Sequence, residues 1–302
     1  MLVIHPGFAK TATTSLQQGV FARHGQIHYL GVPAPDPALD ALLRRLPRED
    51  STRFDLEAAR AALAPRVAPP AGRRVALISY ENFTLYESKD KGLVAGRLRD
   101  LCGPSCRVMF TLRRQEDLLA SWYLQKMRKY ARDRHHLTLK QYFKIKAREP
   151  SRSILDDLDY NATVGCYERL FGRENVRIFA YEQLRTDPPG FAHAVASFLG
   201  VDAEEFQRLL RAARFNPAES ERRLRAARAA ARYLPRELVH RGLELLPHAL
   251  RRRLRDHVDA GPRAKAELPE VARRWVAEHC REGNRRLDAR HGGLLALHGY
   301  TL

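Results

Sequence analysis

The amino-acid sequence predicts an α/β fold with three layers, in which helices flank a parallel β-sheet. Predominantly apolar runs occur at residues 1–4, 75–80, 107–112 and 176–180, interrupted only by Ser79, Arg107, Thr111 and Arg177. Such runs, which lack the alternation of a half-exposed strand, are typical of parallel strands covered on both faces. Each run is followed by residues with helical apolar spacing, so strands and helices alternate along the chain.

The remaining elements follow from the same periodicities. The segment 26–31 is predicted to be extended, and the Pro- and Gly-rich stretch 68–74 is predicted to be a loop. Apolar spacing predicts helices over 13–23, 37–46, 55–66, 88–101, 113–123, 158–171, 189–199 and 203–213. Beyond residue 215 the chain reads as arginine-rich helices separated by prolines. We therefore expect a core over 1–215 and a helical C-terminal extension over 216–302 that packs on the same domain.

Length and composition limit the class of protein. A chain of 302 residues with 44% hydrophobic content can bury a sizeable core. No apolar run approaches the ~20 residues that span a bilayer, and the first strand starts without a signal peptide, so a cytoplasmic protein is expected. The few scattered cysteines predict neither a disulfide framework nor a zinc site.

The formal net charge of +18 favours anionic ligands. A cofactor with several phosphates fits such a surface, and so does nucleic acid. Basic and aromatic residues are interleaved over 125–146, which is a candidate lid or acceptor surface, although such a run is usually a solvated face.

The first strand leads into a loop that has the features of an anion site. Residues 5–16 read His-Pro-Gly-Phe-Ala-Lys-Thr-Ala-Thr-Thr-Ser-Leu, with a turn at Pro6-Gly7. A strand, a tight loop and a helix direct backbone N–H groups and the helix dipole at one point, where a phosphate is stabilised. The ordinary nucleoside-triphosphate loop is excluded, because Thr13 occupies its lysine position and the nearby lysine is Lys10. The alternative is a helix start that happens to be capped by Thr or Ser.

Two more polar side chains follow predicted strands. Glu81 comes directly after the run 75–80, and Arg113 comes directly after 107–112. Because ligands bind beyond the carboxyl ends of parallel strands, Lys10, Glu81 and Arg113 are expected to converge on one edge of the sheet.

These stretches resemble the motifs of sulfotransferases that use 3′-phosphoadenosine 5′-phosphosulfate (PAPS). Lys-Thr-Ala-Thr-Thr at residues 10–14 resembles their 5′-phosphosulfate loop, and Arg113 with Ser121 eight residues later resembles their 3′-phosphate signature. Ser-Tyr-Glu-Asn at 79–82 and the segment 181–188 also resemble family stretches. The chain is thus similar to bacterial, carbohydrate-type sulfotransferases, which implies a P-loop-NTPase-like sheet.

The resemblance implies a role for each site residue. Lys10 would stabilise charge on the bridging oxygen as the S–O bond breaks, and Glu81 would be the general base that deprotonates the acceptor. The alternative for Glu81 is a helix cap or a salt bridge. Arg113 and Ser121 would bind the 3′-phosphate. The 5′-phosphate loop would comprise Gly7, Lys10, Thr11, Ala12, Thr13, Thr14 and Ser15. No metal is needed, because the sulfuryl group carries a single negative charge.

The glutamate base and the basic surface favour a saccharide hydroxyl or amine as the acceptor, while a glycolipid or a small metabolite stays open. Family members often close a late basic segment over the 3′-phosphate, and Arg222 and Arg223 are possible counterparts.

Two other functions stay open. A kinase-like phosphotransferase is disfavoured by Thr13 and by the lack of a magnesium-binding aspartate after an apolar strand. A non-catalytic nucleic-acid binder is suggested by the charge and by the run 125–146, although no nucleic acid is expected as a partner.

Overall fold

The computed structural model describes residues 1–85, 90–132, 137–213, 220–222, 225, 229, 247–259, 262, 264 and 266–302. Within them, five strands form one fully parallel sheet in the order β2-β3-β1-β4-β5. The strands are β1 Leu2–His5, β2 Ile27–Tyr29, β3 Val75–Ser79, β4 Arg107–Leu112 and β5 Val176–Ala180. The predicted α/β class is confirmed. The opening strand lies in the centre, where Ile4 pairs with Ile78 on one side and Val108 on the other.

The helices of the described residues are α1 Pro37–Arg45, α2 Leu56–Val67, α3 Lys91–Cys102, α4 Gln115–Arg132, α5 Leu139–Lys146, α6 Tyr160–Phe171, α7 Tyr181–Thr186, α8 Pro188–Leu199, α9 Ala203–Ala212, α10 His248–Asp259, α11 Glu270–Arg290 and α12 Leu294–Leu297. A π-helix, Ser15–Phe21, follows β1, and a short 3₁₀ turn, Glu81–Phe83, follows β3. Many helices begin where an aspartate carboxylate accepts a backbone N–H bond, which satisfies a donor that the first turn leaves open. These caps are Asp36, Asp55, Asp90, Asp159, Asp187 and Asp202.

The helix after β4 starts later than its apolar spacing predicts. Arg113 and Arg114 precede α4, which begins at Gln115. The Arg114 N–H donates to a side-chain oxygen of Glu182 at 3.0 Å, and not to a capping side chain from its own segment. Tertiary contact therefore fixes this boundary, which local sequence alone does not reveal.

Each face of the sheet is covered by helices, because successive side chains of a strand point to opposite faces. On one face Val3, Leu77 and Met109 pack in one buried cluster with the π-helix and with α8 and α9. On the other face Phe110 packs against Phe8 and against Tyr167 of α6. The three-layer arrangement is therefore as predicted.

The chain divides into two compact units. The first comprises residues 1–115, 149–216 and 276–302 and holds the whole sheet. The second comprises residues 116–148 and 217–275. Within it, a capping box at Thr138 opens α5, and Phe143 packs edge-on against Trp275 with ring centroids 6.1 Å apart. The sequence-based division into 1–215 and 216–302 stays a prediction.

Of the helices described, none is both long enough and apolar enough to cross a bilayer. The expected cytoplasmic location stays a prediction.

Candidate active site

The loop after β1 turns sharply over the end of its strand. Gly7, Lys10 and Ala12 have φ values of 69°, 64° and 63°, in the left-handed region that non-glycine residues rarely adopt. Left-handed residues within a turn are a component of the backbone nests that bind anions. The loop therefore holds backbone strain of the kind that is found at ligand-binding sites.

Side chains support this loop from within and from the segment that follows β3. A Cβ atom on Gly7 would stand 2.8 Å from Cγ2 of Thr13, so the close approach requires glycine. The Thr11 hydroxyl donates to the Phe8 carbonyl at 2.7 Å. Thr84, which is fully buried, donates its hydroxyl to the Gly7 carbonyl. The loop shape is thus fixed before any ligand binds.

The predicted loop residues differ in exposure. Thr11, Thr13 and Ser15 are buried, Lys10 and Ala12 are half-buried, and Thr14 is exposed. The Thr11 hydroxyl is already engaged inside the loop. Backbone N–H groups, Lys10 and Thr14 therefore carry more of the loop's capacity to meet a ligand than the buried threonines do.

Glu81 lies beside this loop. Its Cγ is 3.6 Å from the point where a Cβ on Gly7 would stand. Burial raises the pKa of this carboxyl to about 7, and the nearby positive charge of Lys10 opposes the rise. A carboxylate with a pKa near neutrality, next to a lysine, is suited to accept a proton at physiological pH.

Arg113 approaches the loop from the opposite side. Its Nη1 donates to the Lys10 carbonyl at 3.0 Å, and its guanidinium lies over the Tyr181 ring with Cζ 4.6 Å from the centroid. Its Nε is buried and has no hydrogen-bond partner among the residues described. Because β3, β1 and β4 are neighbours, the expected meeting of Glu81, Lys10 and Arg113 at one edge is seen in the structure.

A fully buried histidine lies under the loop, and the sequence analysis did not single it out. His5 Nδ1 is 2.8 Å from the Ser79 hydroxyl, which accepts an N–H from Gln17 at 2.9 Å. The other ring nitrogen, Nε2, is buried and has no hydrogen-bond partner among the residues described. Burial lowers the pKa of His5 to about 4, so the ring is neutral at physiological pH. In the sequence, the signal that could have identified His5 was its position at the end of the first strand, directly before the loop.

The peptide group that follows Arg113 is also held by residues the sequence analysis did not assign to the site. The Tyr160 hydroxyl donates to the Arg113 carbonyl at 2.6 Å. Glu182 accepts the Arg114 N–H at 3.0 Å and the Tyr300 hydroxyl at 2.9 Å. Glu182 was recognised in the segment 181–188, whereas Tyr160 and Tyr300 carry no local signal.

Several of the residues predicted to bind the nucleotide or the acceptor belong to the second unit or lie outside the residues that the structure describes. Ser121 is half-buried on α4, in the second unit. Arg222 is exposed, and Arg223 lies outside the described residues, as do residues 133–136 of the basic run. Elsewhere in that run Lys126 lies over the Trp122 ring at 4.5 Å and Lys146 over the Tyr142 ring at 6.0 Å. Part of the basic charge is therefore paired with aromatic rings.

Comparison with known proteins gives the family. Residues 95–250 match the sequence model of the family described as "Sulfotransferase domain". That range includes Arg113 and Ser121, whereas Lys10 and Glu81 lie before it. No curated protein sequence matches the chain.

Solved structures similar to this chain include a sulfotransferase from Alicyclobacillus acidocaldarius, at 21% identity over 67% of this chain and 81% of that one, with a TM-score of 0.49. Mouse sulfotransferase SULT7A1 complexed with PAP is 15% identical over 70% and 64% of the two chains, with a TM-score of 0.41. Retinol dehydratase in complex with androsterone and inactive cofactor PAP is 15% identical over 70% and 63%, with a TM-score of 0.36.

The family match covers just over half of the chain. This protein belongs to the sulfotransferase domain family, whose members transfer sulfuryl groups.

Proposed function

We propose that this sulfotransferase moves a sulfuryl group from PAPS to a hydroxyl or amine of a saccharide or glycoconjugate acceptor, with Glu81 as general base. The observation that carries the proposal is the position of Glu81, which has a pKa of about 7 and lies beside Gly7 and Lys10 at the end of β1. A carboxylic acid with the usual pKa of Glu would be a weaker base for a hydroxyl.

The residues at the sheet edge fit a doubly phosphorylated nucleotide. The strained loop from Gly7 to Ser15 offers backbone N–H groups, and Lys10 adds a positive charge. Arg113 has a buried Nε without a partner among the described residues, and its planar fork suits two phosphate oxygens. We assign the 5′ side of the nucleotide to the loop and its 3′-phosphate to Arg113, and the role of Ser121 stays a prediction from the sequence.

The chain's own residues divide the chemistry. PAPS supplies the activated sulfuryl group when it is bound. Glu81 takes the acceptor proton, a contribution of typically about 10²–10⁴-fold in rate. Lys10 holds a positive charge beside the site at which negative charge develops on the departing phosphate oxygen. No metal is proposed.

The acceptor class rests on the glutamate base and the basic surface, which favour an anionic or hydroxyl-rich molecule. The net charge of +18 attracts an acidic saccharide over a distance at low salt. A glycolipid and a small metabolite are the other acceptors to screen. Nucleic acid is not proposed as a partner.

The decisive experiment is calorimetry with 3′-phosphoadenosine 5′-phosphate (PAP) against ADP, without and with Mg²⁺. We expect PAP to bind at least about tenfold more tightly than ADP, since a charge-assisted contact to the 3′-phosphate adds about 1.5–3 kcal/mol. Lys10→Ala and Arg113→Ala should each weaken PAP binding, with Arg185→Ala, an exposed arginine on α7, as the control.

Two results would contradict the proposal. Preference for ADP with magnesium-dependent ATP turnover would indicate a phosphotransferase. Salt-dependent binding to generic DNA or RNA that persists in Lys10→Ala, without PAP binding, would indicate a nucleic-acid binder. If PAP binds, radiolabelled PAPS offered with saccharides, glycolipids and small metabolites identifies the acceptor class.

A further inference from the structure

Three buried side chains hold one peptide group next to the proposed 3′-phosphate site. The carbonyl of Arg113 and the N–H of Arg114 belong to the same peptide plane. Tyr160 donates to that carbonyl at 2.6 Å, and Glu182 accepts that N–H at 3.0 Å. Both polar atoms of the plane are therefore fixed by side chains that are 1% and 8% exposed. We call Tyr160, Glu182 and Tyr300 the Arg113 brace.

The third member holds the second in place. The Tyr300 hydroxyl donates to the other carboxylate oxygen of Glu182 at 2.9 Å. The segment that carries it is anchored in turn, since Asn284 donates to the Thr301 carbonyl at 2.8 Å and accepts from Gln115 at 2.8 Å. The brace thus joins α6, α7 and the residues after α12 at the carboxyl end of β4.

The brace fixes the direction of the Arg113 side chain. Fixing the peptide plane after Arg113 limits the backbone rotation that would redirect its Cα–Cβ bond. The far end of the side chain is held by the Lys10 carbonyl at 3.0 Å and by the Tyr181 ring. A group fixed at both ends binds its ligand without reorganisation, and misplacement by about 1 Å can cost as much as 10²-fold.

The brace also distinguishes the two adjacent arginines. Arg114 Nε lies 3.8 Å from Glu182, so its charge faces a carboxylate. Among the described residues, Arg113 has no carboxylate within ion-pair distance. In the brace, the carboxylate of Glu182 therefore interacts with Arg114 rather than with Arg113. The guanidinium of Arg113 retains N–H donors that can bind an anionic ligand.

Both tyrosines act as donors at any working pH. Burial and the neighbouring Glu182 carboxylate raise the pKa of Tyr160 and the pKa of Tyr300 well above the usual range. Each hydroxyl therefore keeps its proton, and its hydrogen bond does not switch with pH.

From this geometry we propose that Tyr160, Glu182 and Tyr300 are positioning residues that set the selectivity of the enzyme for the 3′-phosphate by fixing the peptide plane between Arg113 and Arg114. The inference rests on the proposed function, in which Arg113 binds that phosphate. It predicts that removing one buried hydroxyl of the brace weakens recognition of the 3′-phosphate much more than recognition of the rest of the nucleotide.

The test compares PAP with AMP, which differs from PAP only by lacking the 3′-phosphate. Calorimetry on Tyr160→Phe, Tyr300→Phe and Glu182→Ala should show PAP affinity lowered about tenfold and AMP affinity changed less than about twofold. Glu182→Gln, which keeps an acceptor for Arg114 N–H, should recover part of the loss. Tyr167→Phe is the matched control, because Tyr167 is 1% exposed and its hydroxyl has no partner among the residues described.

Each possible result either supports or contradicts the inference. Equal losses for PAP and AMP would show a merely structural role and overturn the inference, as would unchanged PAP affinity in all three variants. A wild-type enzyme that binds PAP and AMP equally would overturn the proposed function as well. If Tyr160→Phe fails to fold, as judged by circular dichroism, Tyr300→Phe decides the question alone, since it leaves the direct bond to the Arg113 carbonyl in place.

Discussion

The carboxyl of Glu81 should make stability depend on pH in a defined direction. Its pKa is about 7 in the folded protein, against an ordinary value of 4.5 for a glutamate carboxyl. The folded state therefore holds the proton more tightly than the unfolded chain does. The contribution of Glu81 to stability should be greatest below pH 4.5, fall as the pH rises to about 7, and level off above that value. The rise in pKa corresponds to at most ~3 kcal/mol, because each pKa unit is about 1.4 kcal/mol and the half-buried side chain keeps part of its hydration.

Glu81→Gln isolates this effect, since the amide has a similar shape and does not ionise. The free energy of unfolding of Glu81→Gln minus that of wild type should rise by about 2–3 kcal/mol between pH 4 and pH 8. Urea unfolding followed by circular dichroism at several pH values measures the difference, in which the other titrating groups cancel. A difference that stays flat across this range would refute the raised pKa, and with it the argument that Glu81 is tuned as a base.

Lys10 provides an independent check of the same reasoning. Its positive charge lowers the pKa of Glu81 below what burial alone would produce. In Lys10→Ala the pH range over which stability falls should therefore move to higher pH. Lys10→Arg keeps the charge and should leave that pH range unchanged. An unchanged pH range in Lys10→Ala would show that the two groups do not interact. With an acceptor in hand, kcat/KM should rise with pH through the same region.

Two further predictions concern the scaffold of the site. Gly7→Ala and Gly103→Ala both place alanine at positive φ and should each cost about 1–3 kcal/mol of stability. Only Gly7→Ala adds a 2.8 Å contact, so calorimetry should show PAP affinity lowered at least about tenfold for Gly7→Ala and unchanged for Gly103→Ala. Asp157 and Asp156 both contact Lys91 Nζ, at 2.6 and 2.5 Å, but their side chains are 1% and 40% exposed. Asp157→Ala should cost about 3–5 kcal/mol in urea unfolding and Asp156→Ala under about 1 kcal/mol, and equal costs would contradict the argument from burial.

The sequence was sufficient for the sheet and for the edge where the site lies. The strand over 107–112 has the bounds that its apolar run predicts, as does the strand over 176–180. Burial on both faces leaves a strong signal in sequence, and parallel strands present their carboxyl ends at one edge. The convergence of Lys10, Glu81 and Arg113 follows from those two facts together.

What could not be predicted depends on contacts between distant residues. Thr11 and Thr14 belong to one motif, yet Thr11 is fully buried and Thr14 is exposed, because the left-handed turns of the loop direct them differently. Tyr300 reaches Glu182 across 118 positions of sequence, a separation at which neither periodicity nor a local motif carries information. The raised pKa of Glu81 likewise depends on burial, which only the folded chain provides.

The central place of the first strand has a consequence for how the protein is made. β1 is synthesised before both of its partners, and its register with Ile78 and Val108 forms only after those residues have left the ribosome. Such non-local pairing slows folding, because the entropy cost of closing the intervening loops comes before the strand contacts that offset it. During that interval an unpaired apolar strand is open to aggregation, so chaperone supply during expression should affect the yield of active enzyme.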